Sequence, residues 1–228
     1  MIVTPGPLAA PASRLLAALA SHGHAVHDAS RGEVPGDGPV TLAVSDGPFV
    51  FDFAGLVRAV APRPFRVLVL SRLGAHPDAR TASLQRLWRM EEHVRGGGAP
   101  TLTLRFAPLL GPATPLWNKL RTRPALPRGG RTQLNPVAEC DAVATLVRAL
   151  ADTAPWHDWY EVAGERVWTL GELRDRAAAA GRGPDAGEWE PALDEMLEHR
   201  LAESAPWCAR FALTPTPIED AVREGAAA

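Results

Sequence analysis

Groups able to move protons are few in this chain. Tyrosine occurs once, at Tyr160, and lysine once, at Lys119. No phenol therefore has an ammonium group one helical turn away, the pairing that lowers a phenol's pKa for proton transfer at neutral pH. Glu91, Glu92 and His93, consecutive in TASLQRLWRMEEHVR, have acid and base chemistry, but on the outer turn of a helix they are expected to form a solvated face. His22, His24 and His27 straddle a helix stop and a strand, so they are not expected to converge on a metal. Glu195 and His199, four apart, lack the second histidine of a zinc-protease helix. Cys140 and Cys208 are too few for a cysteine-rich zinc site and are read as apolar thiols, so no metal is expected.

The remaining composition narrows the class. The 228 residues carry a net charge of −2, which leaves no basic footprint for nucleic acid. No apolar run is long enough to span a bilayer, and MIVTPGPLAAP lacks the basic-then-apolar layout of a secretory signal. The expectation is a cytoplasmic protein with one sizeable core.

Periodicity supplies the elements that position these residues. Ile2 to Thr4 is a short apolar strand, the leucines of SRLLAALASHGHAV recur at helical spacing up to Gly23, and Ala25 to Ala29 is a second strand. Strand, loop, helix, strand is the opening of a dinucleotide-binding βαβ unit. In a working site the first loop needs glycines that let pyrophosphate approach bare amides. Here only Gly6 is present, and Pro5, Pro7 and Pro11 each remove an amide donor. Further on, Val40 to Val44, RVLVLSRLGAHPD and TLTLRFAPLLG are apolar runs of the kind buried on both faces of a parallel sheet.

The helix carrying Glu91, Glu92, Val94, Arg95 and Gly96, followed by Leu104 and Arg105, resembles the sixth-strand region of atypical and extended short-chain dehydrogenase/reductases, the epimerase/dehydratase-like and NmrA-like families. VLVLSRLGAHPD, GGRTQLNPVAECDAVATLVRAL, WYEVAG, TLGEL and PTPIEDAVRE resemble further segments of the same families, in order along the chain. The resemblance implies an α/β fold with a Rossmann-like, mostly parallel sheet and a small C-terminal helical lobe. It also implies a core over residues 1–112 and a substrate-type part over 113–228. Only RGEVPGDGP stands before Val40, whereas a parallel crossover takes a dozen residues or more, so the second helix and third strand of the family are expected to be missing. The sheet would then run 2-1-4-5-6 in family labels, with an exposed edge at the second strand that needs cover.

The same resemblance assigns roles. Ser71 falls at or beside the catalytic serine, Ser83 at the catalytic tyrosine and Leu87 at the lysine. Gly6, Arg31 (facing a 2′-phosphate) and Ser45 fall at cofactor positions. Ser71, Phe106, Pro108, Leu109 and Leu110 would line a ligand pocket. With the tyrosine and lysine replaced, the leading expectation is a pseudo-dehydrogenase with no cofactor, which binds a small molecule or a partner protein, or does non-redox chemistry, in the retained cleft. The alternative is an NAD(P)-dependent reductase or epimerase with an unusual cofactor loop, using Ser71 and a water. A homodimer is also expected.

Overall fold

The computed structural model describes residues 1–5, 8, 12–31, 34–45, 53–60, 63–154, 156–181 and 196–223. The chain forms two compact units, residues 1–105 with 146–160, and residues 106–145 with 161–228.

The first unit carries the sheet. The strands are β1 (Ile2–Thr4), β2 (Val26–Asp28), β3 (Val40–Ser45), β4 (Phe65–Arg72), β5 (Thr101–Phe106) and β9 (Trp159–Val162), of which Phe106 and the last two residues of β9 fall in the second unit. They lie in the order β2-β1-β3-β4-β5-β9, and the β1–β2, β1–β3 and β3–β4 pairs are parallel. This is the 2-1-4-5-6 order with a final strand added. Between β2 and β3 the described residues contain only a 3₁₀ turn, Ala29–Arg31. Helices α1 (Ala12–Ser21), α2 (Phe53–Val60) and α3 (Ala82–Gly96) connect the strands. Because helices cover the sheet, the inner strands are buried on both faces, as in the five residues Val40 to Val44, all apolar but Thr41. Val3, Leu42, Val44, Val67, Val69 and Val94 form the centre of this core.

In the second unit the run TLTLRFAPLLG does not continue as one strand. Pro108 has no N–H to give a ladder, so β5 ends at Phe106 and a separate β6 (Leu109–Leu110) pairs with β8 (Val137–Ala138). A second ribbon joins β7 (Gln133–Leu134) to β10 (Trp168–Thr169), antiparallel. Helices α4 (Pro115–Arg121), α6 (Leu170–Ala179), α7 (Ala205–Phe211) and α8 (Ile218–Ala221) belong to this unit, and α5 (Glu139–Ala151) runs from it into the first. Leu110, Trp117, Leu120, Leu134, Trp168 and Leu173 lie in its buried cluster. Among the described residues no helix is long and apolar enough to cross a membrane.

Candidate functional site

A buried cluster of polar side chains in the first unit lies under α3. That helix buries Leu84, Leu87, Glu91 and Val94, spaced three or four apart so that all four share the face turned to the sheet. Glu91 is 0% exposed, so the solvated face expected of it does not form: its position in the repeat places it inward, one turn beyond Leu87. A carboxylate cannot be buried there alone, and two neighbouring strands supply its partners. Arg105 on β5 donates from Nε to both Glu91 oxygens at 3.1 Å and from Nη2 to Oε2 at 2.5 Å. Ser71 on β4 donates its hydroxyl to Glu91 Oε1 at 2.5 Å. The far side of the Arg105 guanidinium lies over the Trp159 ring, 4.8 Å from its centre.

This arrangement spends Ser71's single proton on Glu91, and only its oxygen lone pairs remain for anything else. Ser83 stands in the first turn of α3, where its hydroxyl lies 3.4 Å from Thr81 Oγ1. Leu87, at the lysine position of the resemblance, is buried among Ala75, Ala79 and Leu84. The chain's one tyrosine is on β9 and its one lysine on α4.

Of the expected cofactor positions, Gly6 lies outside the described residues, as do Pro7 and Pro11. Arg31 closes the 3₁₀ turn after β2, and Ser45 is the half-buried last residue of β3. The strand order reverses direction at β1, which has β2 on one side and β3 on the other; such switch points are where open α/β sheets take ligands. One residue there was missed in the sequence. Asp28 ends β2 in register with Thr4 at the end of β1, about twenty residues after Gly6. Its Oδ1 accepts the Ser30 N–H at 2.9 Å and the Ser30 hydroxyl at 2.7 Å, which fixes the carboxylate. An acid at this place suits the hydroxyls of an adenosine ribose and repels a 2′-phosphate. In the sequence it is marked as the acid that ends the second strand, three residues before Arg31. Asp28 and the switch point fit the ribose of a dinucleotide.

The remaining pocket candidates, Phe106, Pro108, Leu109 and Leu110, belong to the second unit. All but the half-buried Pro108 are buried. The Pro108 carbonyl accepts the Val137 N–H, and Leu110 packs in that unit's cluster. Nearby, Asn135 is fully satisfied: Nδ2 donates to the carbonyls of Gly164 and Ala202, and Oδ1 accepts the Ala202 N–H. Asp141, also buried, accepts both the N–H and the hydroxyl of Thr216 at 2.7 Å. Of the other sequence candidates, Glu195 lies outside the described residues, while His199 Nδ1 accepts the Gln133 N–H.

No protein-family model matches the sequence. No curated protein matches it either. Solved structures do match, along nearly their full length. UDP-N-acetylglucosamine 4-epimerase from Bacillus cereus is 12% identical with a TM-score of 0.63, over 98% of this chain and 93% of that one. TunA, an NAD dependent NDP-hexosamine 5,6-dehydratase involved in tunicamycin biosynthesis, is 16% identical with a TM-score of 0.63, over 97% and 94%. MoeE5, in complex with UDP-glucose and NAD, is 15% identical with a TM-score of 0.63, over 96% and 95%. The likeness is one of fold, and the fold is that of the NAD-dependent epimerase/dehydratase type of short-chain dehydrogenase/reductase. It overturns the expectation of a chain with no cofactor: TunA is NAD dependent and MoeE5 holds NAD, so this architecture is an NAD(P)-binding one.

Proposed function

We propose that this chain binds an NAD-type dinucleotide at the carboxyl ends of β1 and β2, and that it does so without the tyrosine-driven hydride transfer of the enzymes whose fold it shares. A nicotinamide dinucleotide supplies a hydride donor or acceptor when bound. Using it on an alcohol or carbonyl requires a group that takes or gives the hydroxyl proton, and that group is what the chain has lost. The observation that carries the reading is Leu87, buried among alanines and leucine where a lysine would have to reach the ribose, with Ser83 in place of the phenol. Ser71 does not substitute, since its proton is already given to Glu91.

Asp28 supports the binding half of the proposal and favours NAD over NADP. The prolines of the first loop weaken the phosphate contacts by removing amide donors, so the expected affinity is modest. The role that results is a binding protein responsive to a dinucleotide and a small molecule.

Calorimetric titration with NAD, NADH, NADP and NADPH tests the first half. Micromolar to sub-millimolar binding of NAD or NADH is expected, and no heat with any of the four at millimolar concentration would remove it. Incubation with NAD and UDP-glucose, followed by the absorbance of NADH and by product analysis, tests the second. No turnover above the protein-free rate is expected; steady epimerisation or oxidation would overturn it.

A further inference from the structure

The loop that leaves α4 carries charge out of proportion to the rest of the chain. Residues 115–131 hold five cations, Lys119, Arg121, Arg123, Arg128 and Arg131, and no aspartate or glutamate, in a chain whose net charge is −2. Arg123, Arg128 and Arg131 are exposed. Arg128 Nη1 donates to the Leu197 carbonyl at 3.3 Å, whereas the Arg123 and Arg131 guanidinium groups have no hydrogen-bond or ion-pair partner among the described residues. Backbone conformation marks the same loop. Only three described residues other than glycine have a positive φ, and two of them are Arg123 at 54° and Arg128 at 51°. Arg123 stands just past Thr122, the C-cap of α4, a place where left-handed backbone suits glycine. After α1 and α3 the chain does use glycine for this, at Gly23 and Gly98. Backbone strain of this kind persists where the side chain itself is needed.

We propose that this loop is a docking surface for an acidic segment of a partner protein, with Arg123 and Arg131 as its principal contacts. The loop is held in shape for the purpose. Thr122 Oγ1 donates to the Lys119 carbonyl, the Gly129 N–H to the Leu126 carbonyl, and Leu126 packs against the buried cluster of the second unit. The occupant follows from what the loop lacks. A lone phosphate or sulfate is held by converging backbone amides, best at a helix N-terminus. Here the loop leaves a helix C-terminus, whose dipole repels an anion. The N–H groups of Arg123, Gly129 and Arg131 are already given to the carbonyls of Leu120, Leu126 and Arg128. What remains is a string of guanidinium forks along one exposed loop, each shaped for a carboxylate, and separate carboxylates along a peptide match it. The surface lies in the second unit, away from the β1 and β2 ends, so its failure leaves the dinucleotide reading standing.

The test is fluorescence anisotropy of a labelled octaglutamate peptide with the nucleotide-free full chain at about 0.15 M salt. Binding in the micromolar to sub-millimolar range is expected, weakened about tenfold in each of Arg123→Gly and Arg131→Ala. Glycine accepts the left-handed backbone at position 123, so the urea midpoint of Arg123→Gly should stay close to that of the wild type. Lost binding in a variant of native stability is a result that a merely structural arginine would not give. No binding with the protein near millimolar, or binding that neither variant weakens, overturns the proposal. Tighter binding of an inorganic polyphosphate of the same charge overturns it as well.

Discussion

Ser71 and Glu91, twenty residues apart in sequence, share a hydrogen bond of 2.5 Å with neither side chain open to solvent. Together with Arg105 they make a charged knot between two strands and a helix in an otherwise apolar layer. Removing one member of a buried pair leaves an uncompensated charge, and that cost exceeds the value of the pair itself. Glu91→Ala and Arg105→Ala should therefore each lower stability by about 3–5 kcal/mol, read as a fall in the urea midpoint at constant slope. The Glu91→Leu, Arg105→Met double variant should lose much less. If the double variant is as unstable as the sum of the singles, the knot is a net contributor and this account of it is wrong.

Ser71→Ala isolates the hydroxyl. A hydrogen bond to a charged group is worth about 1.5–3 kcal/mol, so a loss of that size is expected while dinucleotide affinity stays unchanged. A variant with native stability but lost ligand binding would return Ser71 to the site.

Gly164 is required for a steric reason in the second unit. A Cβ there would run into the carbonyl oxygen of Pro136, and backbone on both sides is tied, since the Gly164 N–H donates to Asn135 O and its carbonyl accepts from Asn135 Nδ2. Gly164→Ala should destabilise the chain by about 3 kcal/mol. The same change at Gly38, where an added Cβ meets nothing, should be close to neutral by the same urea measurement.

Glu172 gives a pH signature. Its side chain accepts the Thr169 N–H while the Thr169 hydroxyl accepts the Glu172 N–H, a reciprocal cap on α6. The bond from the Thr169 backbone, then that from its hydroxyl, holds the Glu172 carboxyl below the usual carboxylate range. A depressed folded pKa means that this contribution is complete above the unfolded value, about 4.3. It is lost as pH falls through the lower folded value. A Glu172→Gln variant should be less stable than the wild type near neutrality, with a flatter acid limb, so that the two stability–pH curves converge as pH falls through the folded pKa; acid limbs of equal slope would refute the assignment.

Asp28 sets cofactor choice in the proposed function. Asp28→Ser removes the charge that repels a 2′-phosphate and should shift the NADP-to-NAD affinity ratio toward NADP by about tenfold. An unchanged ratio in calorimetry would remove Asp28 from the site.

Sequence alone determined the order and type of the main elements, since these follow from local pattern: apolar runs bounded by glycine and proline, leucines at helical spacing, and a threonine three residues before a glutamate at the start of α6. It also determined that no tyrosine–lysine pair exists, because that is a matter of composition. The missing helix and strand were legible from the shortness of RGEVPGDGP. Tertiary structure alone decided where Glu91 faces. In the sequence it sits beside Glu92 and His93 and reads as part of a wet surface. Its burial depends on Arg105 and Ser71 arriving from strands distant in sequence, and no local pattern records that meeting. Asp28 is legible as an acid that ends the second strand, but its place beside Thr4 exists only once β2 has paired with β1.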